Sequence, residues 1–357
     1  MTKYLLEDIS NLAHRVFFSL NSKMNLKNNE DFQKHRDLYI HTILNTIQWD
    51  RTNFKVDMKH TVLCFDSKHW RVDYLENNSF MNSNDYKDGR DQENKIFIRG
   101  LIESVYYITS LMNYIVLKED RFEADDLIAL FIKRHLSNDT EFLIVSNDDD
   151  FTQLKKYNTT IYSPNKRKFN DKDFSSVELK IIRGDVSDNI KRIVPKYLIN
   201  STEININFSE KDINNLINKH IEENSVFDRN QFKLIVSNYL SNKIIKKIFD
   251  ILKKQLRTDV LKGKSLTAEV EETIHEYFSE NLNIECKNLQ EMKEFIENDI
   301  NMRYNLNETL IDFNFIPTEL VDYFNKIEIK KNNFTLENMK KTLKCFSLTK
   351  LSEFLSE

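Results

Sequence analysis

An α/β fold, with a mostly parallel central sheet flanked by helices and a helical C-terminal region, is what this 357-residue chain predicts. Three observations carry the prediction. Up to about residue 165, short apolar runs alternate with helical stretches. Acidic residues stand just after several of those runs. Past about Pro195 the chain becomes rich in Asn, Lys, Ile and Glu, and its apolar spacing turns helical.

Taken in order, Tyr4-Leu5-Leu6 is a weak first strand and residues 38–48 are helical. Thr61-Val62-Leu63-Cys64-Phe65 is a strand, residues 94–112 a helix, and Tyr114-Ile115-Val116-Leu117 a shorter strand. Residues 124–135 follow as a helix and Glu141-Phe142-Leu143-Ile144-Val145 as a strand. Strands that are apolar on both sides need cover on both sides, which alternating helices supply in a parallel sheet. In such sheets the functional site lies beyond the carboxyl ends of the strands. In the second half, residues 243–257 form the clearest helix. Ile245, Ile248, Phe249, Leu252 and Leu256 make an apolar stripe, and Lys243, Lys246, Lys247, Lys253, Lys254 and Arg257 occupy the rest, interrupted by Asp250.

Composition excludes several classes. Hydrophobic residues make up 40% of the chain, enough for a folded core. The net charge of -4 neither supports nor excludes nucleic-acid binding, because local sign matters more than the sum. Cys64, Cys286 and Cys345 form no C-x-x-C pair, so neither zinc nor a disulfide framework is suggested. The N-terminus lacks an apolar core of signal-peptide length, and no apolar run approaches the roughly 20 residues of a membrane span. A cytoplasmic protein is therefore expected. With only 4 Gly, glycine-rich phosphate loops are nearly ruled out. Gly263-Lys264-Ser265 mimics the end of a P-loop, but its leading glycine would fall on Thr258.

The acidic residues carry the chemistry. Asp8 follows the first strand, Asp66 the second, and Asp148 and Asp150 follow residues 141–146. Glu123, Asp125 and Asp126 open a helix, and Asp185 and Asp188 lie in Gly184-Asp185-Val186-Ser187-Asp188-Asn189. Singly, each has an ordinary structural use at a turn or a helix N-terminus. Together, in a parallel sheet, they converge on one edge and repel unless a cation neutralises them. Oxygen-only ligands favour Mg2+ or Mn2+ over zinc. Two such ions roughly 4 Å apart activate a water and stabilise the leaving oxygen of a phosphodiester.

Three motifs, Glu123-Ala124-Asp125-Asp126, Ser146-x-Asp148-x-Asp150-Phe151-Thr152-Gln153-Leu154 and Gly184-Asp185-x-Ser187-Asp188-Asn189-Ile190, resemble in order and spacing those of the 5′ nucleases, or flap endonucleases. Supporting stretches begin at Asp8, His41, Val62 and Leu310, so the likeness covers roughly residues 1–195 and 300–357. The resemblance implies a 5′-nuclease/PIN-like fold. It implies that Asp8, Asp66, Glu123 and Asp125 serve one ion, and that Asp148, Asp150 and Asp185 serve a second, with Asp126 and Asp188 nearby or acting through water. Tyr86-Lys87-Asp88-Gly89-Arg90 is similar to a family element in which Lys87 and Arg90 would contact the scissile phosphate. Residues 79–99 would then be an arch over a single-stranded 5′ end. The catalytic domain would span residues 1–195. Residues 196–357 would be a helical DNA-binding and C-terminal region, with an unmatched insertion at 197–299.

One departure stands out. The family follows its last Asp motif with a glycine-containing helical hairpin that grips duplex phosphates, whereas here Ile190-Lys191-Arg192-Ile193-Val194-Pro195 has no glycine. The helix bearing Lys246, Lys247, Lys253 and Lys254 is a candidate replacement, and equally a solvated face. The implied activity is 5′-to-3′ exonuclease and flap endonuclease cleavage of RNA–DNA hybrid, duplex DNA and branched DNA, for primer removal in phage DNA replication. A monomer is expected, and the implied partners are a single-strand-binding protein and a sliding clamp. Two rivals remain in view. A haloacid-dehalogenase-type phosphatase needs a second Asp two residues after its nucleophile, but Asp66 is followed by Ser67 and Lys68. A non-enzymatic DNA-binding protein would use the acids only as caps.

Overall fold

The computed structural model describes residues 1–25, 28–77, 92–171, 175–186, 188–194, 197–199, 202–204, 206, 209–224, 227–256, 288–329 and 337. They fall into two compact units: Met1–Ser176 with the described part of Asp312–Glu357, and Val177–Ile311. The boundary expected at 195/196 lies outside the described residues. Residues 177–194 belong to the second unit and residues 312–329 to the first.

The first unit is built on strands β1 (Thr2–Asp8), β2 (Thr61–Cys64), β3 (Ile115–Leu117), β4 (Thr140–Val145), β5 (Thr159–Ser163) and β6 (Lys168–Phe169). They form one sheet in the order β3-β2-β1-β4-β5-β6, parallel throughout except for the β5–β6 hairpin. This is the mixed, mostly parallel sheet that the alternating runs predict. The weak first strand is the middle of it, paired with β2 on one side and β4 on the other. Its sequence signal is weak because Glu7 and Asp8 interrupt the apolar run, yet Glu7 is 1% exposed. The β5–β6 hairpin has no counterpart in the prediction, because Thr159, Thr160 and Ser163 hide a strand that only pairing with β4 and β6 reveals.

Alternate residues of the strands face two different covers. Leu63 and Phe65 join a core with α1 (Ile9–Met24), α3 (Arg36–Asn53) and α5 (Gln92–Thr109), through Leu12, Phe17, Ile43, Ile47, Leu101 and Val105. Leu6, Val62, Cys64, Phe142 and Ile144 meet Leu127, Ile128 and Phe131 of α6 (Ala124–His135). Helix α1 is absent from the prediction, although its buried Ile9, Leu12, Ala13, Val16 and Phe17 have helical spacing. Two short helices complete the first half, α2 (Asn29–Lys34) and α4 (Trp70–Glu76). The stretch after Asp312 docks on α6. Lys133 donates to the Phe313 carbonyl (2.9 Å) and Arg134 to that of Phe324 (2.9 Å), while Leu320 and Phe324 enter the α6 core.

The second unit holds most of α7 (Ser175–Arg183), the hairpin β7–β8 (Tyr197–Ile199, Thr202–Ile204), α8 (Glu210–Asn224), α9 (Arg229–Leu256) and α10 (Leu289–Ile311). A last helix, α11 (Thr318–Lys326), is in the first unit. The long helix α9 begins fourteen residues before the predicted one. Its buried row is Phe232, Val236, Leu240, Ile244 and Ile248; of the predicted stripe Ile248 is buried and Ile245 half-buried, and the side chains of Phe249, Leu252 and Leu256 lie outside the described residues. It packs with α10, whose buried row is Met292, Ile296, Ile300 and Tyr304. The i, i+4 repeat of both rows makes the ridges by which helices interlock. Among the described residues, no helix is long and apolar enough to cross a membrane.

Candidate metal centre

The parallel register brings the early acids together. Asp8 ends β1 opposite Cys64, so Asp66, two residues past Cys64, emerges beside it at the carboxyl edge of the sheet. Asp8 also starts α1, its carboxylate accepting from the Asn11 backbone N–H (2.9 Å). The next residue but one, Ser10, accepts from the Asp66 N–H (3.3 Å). Asp66 in turn accepts from the Ala124 N–H (2.8 Å), the first residue of α6. Three segments far apart in sequence are thus tied end to end at one point.

Glu123, Asp125 and Asp126 cluster at the start of α6, each with a carboxylate oxygen within 4.8 Å of the others. Their environments differ. Asp126 is fully buried, and both its oxygens are engaged: Arg71 Nη1 and Nη2 each donate at 2.9 Å and Trp70 Nε1 at 3.0 Å. Arg71, also buried, donates to Glu123 Oε2 at 2.9 Å, and His69 lies 3.9 Å from Glu123 Oε1. Asp125 is half-buried and accepts from the Asp126 N–H (2.7 Å). Burial pushes the Cys64 thiol well up, and the carboxylates of Asp8, Asp66 and Asp125 push it further. These three acids end β1, follow β2 and open α6.

Asp148 begins the 3-10 helix Asp149–Tyr157, its carboxylate accepting from the Asp150 N–H (2.9 Å) and its own N–H bonding Ser146 Oγ (3.1 Å). Both acids are half-buried at the carboxyl end of β4. Asp149 turns to Asn170 (3.0 Å) and the hairpin side. Asp185 and Asp188 belong to the second unit, on the loop after α7; Asp185 is 2.8 Å from Lys180 Nζ. Lys87, Arg90 and residues 79–91 of the expected arch lie outside the described residues, while residues 92–99 lie in α5. On α9, Lys246 is exposed and Lys247 half-buried; the side chains of Lys253 and Lys254 lie outside the described set.

Arg71 and Trp70 escape sequence reasoning. Nothing local marks an Arg that reaches α6 from a helix over fifty positions away. Glu7 is the other surprise. Burial raises its carboxyl well above the usual range, Asp50 raises it further, and Arg15 pulls the other way. Asp50 is itself pushed up to about 6 by burial, against the opposing charge of Arg15.

The donor set tests whether a divalent ion fits. Asp8 and Asp125 are half-buried carboxylates, Asp66 is an exposed one, and Arg71 is turned to Glu123 and Asp126. Two carboxylates about 4 Å apart repel by roughly 4 kcal/mol near a protein surface. A hard cation with oxygen ligands relieves that repulsion. The residues fit such an ion.

The chain belongs, over residues 3–180, to the family of 5′-3′ exonuclease N-terminal, resolvase-like domains. It is similar to the ribonuclease H of Enterobacteria phage T4, with 33% identity over 169 residues. That match covers 43% of this chain and 53% of the relative, so it spans about half the relative's length. Among solved structures, a phage T5 protein co-crystallised with metal ions aligns with a TM-score of 0.49 and 18% identity, over 91% of this chain and 97% of that one. A variant of the phage T5 flap endonuclease, in a pseudo-enzyme-product complex with DNA and metal ions, aligns with a TM-score of 0.46 and 16% identity, over 96% and 99%.

Proposed function

We propose that this protein is a divalent-metal-dependent 5′ nuclease, a 5′-to-3′ exonuclease and flap endonuclease that hydrolyses phosphodiesters of RNA–DNA hybrid, duplex DNA and 5′-flap substrates. The observation that carries it is the convergence of Asp8, Asp66 and Asp125 on the carboxyl edge of the sheet, beside the Arg71-held Glu123. Membership of the exonuclease domain family supports it. So do the names of the similar phage proteins, a ribonuclease H and a flap endonuclease.

Asp8, Asp66, Glu123 and Asp125 hold a first ion, and Asp148 and Asp150 serve a second; Mg2+, or Mn2+ in its place, suits the all-oxygen donors. When bound, such ions supply the positive charge that activates a water and offsets charge on the leaving oxygen. The protein residues do the positioning. Ser10 and the Ala124 N–H hold the Asp66 loop against α1 and α6. Arg71 aims Glu123 while tying Asp126 into the scaffold, so we assign Asp126 a supporting role. Asp185 and Asp188 are the remaining acids of the family pattern, and we read them as serving metal too, Asp188 directly or through water. Lys87 and Arg90 would meet the scissile phosphate and stabilise its developing charge. A role in RNA primer removal during phage replication, alongside a single-strand-binding protein and a sliding clamp, completes the proposal.

The test is incubation of purified protein with a 5′-flap substrate, with magnesium and with EDTA. Cleavage is expected with magnesium and is lost in EDTA, while the circular-dichroism signal of the helices stays unchanged. Undiminished cutting in EDTA overturns the metal-dependent reading.

A further inference from the structure

The loop between Gly184 and Ile190 is closed on itself. Asp185 and Ile190 exchange backbone hydrogen bonds (2.9 and 2.7 Å), and the Ile193 N–H reaches the Ile182 carbonyl (3.1 Å). The two arms come so close that a Cβ on Gly184 would stand 2.2 Å from the Ile190 carbonyl oxygen, and Gly184 adopts φ +75°. Only glycine meets both demands. Asn189 turns the far end at φ 57°. These bonds shape the loop but do not attach it to anything else.

Attachment comes from α10. The Asn307 side-chain amide, 2% exposed, donates one hydrogen to the Ile181 carbonyl (2.8 Å) and the other to the Lys191 carbonyl (2.8 Å). Ile181 precedes the loop and Lys191 follows it, so one NH2 group spans both arms. Two carbonyl acceptors also settle which end of the amide faces them, since only the nitrogen can serve both. One turn earlier on α10, Tyr304 donates to Glu178 Oε2 (2.7 Å) on the body of α7, and Arg229 of α9 donates to Glu178 Oε1 (2.6 Å). Tyr304 therefore fastens α10 to the middle of α7 alone, whereas Asn307 ties the last turn of α7 to the chain that leaves the loop.

We propose that Asn307 is a positioning residue for the acidic loop: by clamping both arms it sets where the carboxylates of Asp185 and Asp188 stand for divalent metal. This rests on the reading that these two acids bind metal. Loss of a group that orients metal ligands costs about 10- to 100-fold in metal affinity. Asn307→Leu keeps the size and removes both donors. Tyr304→Phe is the matched control, since it loosens the same helix pair without touching the loop.

The experiment is calorimetric titration of Mn2+ into the metal-free full-length protein, without DNA, paired with the magnesium dependence of flap cleavage and a thermal melt. Asn307→Leu is expected to weaken Mn2+ binding about tenfold or more and to recover its rate at high magnesium. Tyr304→Phe is expected to lower Tm and leave metal binding unchanged. If Asn307→Leu fails to fold, Asn307→Ser, which keeps one hydroxyl donor, is expected to show an intermediate loss. Wild-type Mn2+ affinity in the folded Asn307 variant, with only a lower Tm, overturns the proposal. Asp185→Asn separates the two layers. If it leaves Mn2+ binding intact, the metal reading of this loop fails and the proposal with it. If it weakens binding while the Asn307 variant does not, the positioning role alone fails.

Discussion

The acids of the first unit and those of the second are held by different means. Asp8 and Asp66 leave adjacent parallel strands, so their spacing follows from sheet register and the roughly 4.8 Å between neighbouring strands. Hydrogen bonds from Asn11 and Ala124 refine their direction. Asp185 and Asp188 stand on a loop rather than at the end of a parallel strand, shaped by positive φ at Gly184 and Asn189 and clamped on both arms by the Asn307 amide. A sheet-borne acid should therefore fail through loss of its own charge. A loop-borne acid should fail as readily through loss of its support.

The largest expected effect breaks the comparison if it does not appear. Asp125→Asn should slow single-turnover flap cleavage by roughly 100-fold or more, the upper end of what losing a mere supporting group costs. Asp148→Asn should do likewise. Both variants should still bind flap DNA, and more tightly if anything, because a negative charge facing phosphate is gone. A near-normal rate at saturating magnesium would show that the acid is only turn chemistry.

Next comes the buried clamp behind α6. Arg71→Met leaves Glu123 and Asp126 as uncompensated buried charges and should cost about 3–5 kcal/mol in denaturant unfolding. Adding Asp126→Leu should return part of that loss, since one stranded charge is then removed. If the single variant melts like wild type, the sheet-borne half owes nothing to Arg71.

A pH effect sharpens the picture of β1. The Asp50 carboxyl is pushed from 3.8 to about 6, chiefly by burial. A carboxyl raised in the folded state holds its proton more tightly there than when unfolded. Its contribution is present below pH 3.8 and is lost as pH rises through about 6. Glu7, raised in the same direction, extends the loss upward. Unfolding measured across that window should show falling stability, and Asp50→Asn should flatten the fall. An unchanged slope in the variant would remove Asp50 from the account.

The smallest effect concerns α9. Lys246→Gln and Lys247→Gln should each reduce the slope of log affinity against log salt by about 0.9 if each lysine meets a duplex phosphate. The saturated cleavage rate should hardly change. Normal duplex binding across the salt series would make α9 a solvated face and put the grip elsewhere.

Much of the first unit was legible. Residues 124–135 form α6 as the apolar spacing predicts, and the runs at 61–65, 114–117 and 141–145 form β2, β3 and β4 within one or two residues. Local pattern suffices there because a strand buried on both faces must be apolar at every position, and a helix on a sheet must repeat every three to four residues. The acids after those strands were legible for the same reason: direction along a parallel strand is written in the chain. The full buried row of α9 was not legible, because it is set by packing against α10, which starts over thirty residues beyond the end of α9.

The chain's own order of residues determined the class of fold, the direction of its parallel strands, and the acids that follow them. These follow from periodicity and from caps and turns, which act over a few residues. Only tertiary structure decided that the charged first strand lies at the centre of the sheet and that Arg71 takes both oxygens of Asp126. Only tertiary structure, too, brought Asn307 across to the Asp185 loop. Each of these joins groups more than fifty positions apart or buries a charge that local pattern marks as exposed. No short-range rule carries that information, because the free energy of such a group depends on which distant partner desolvates and pairs it.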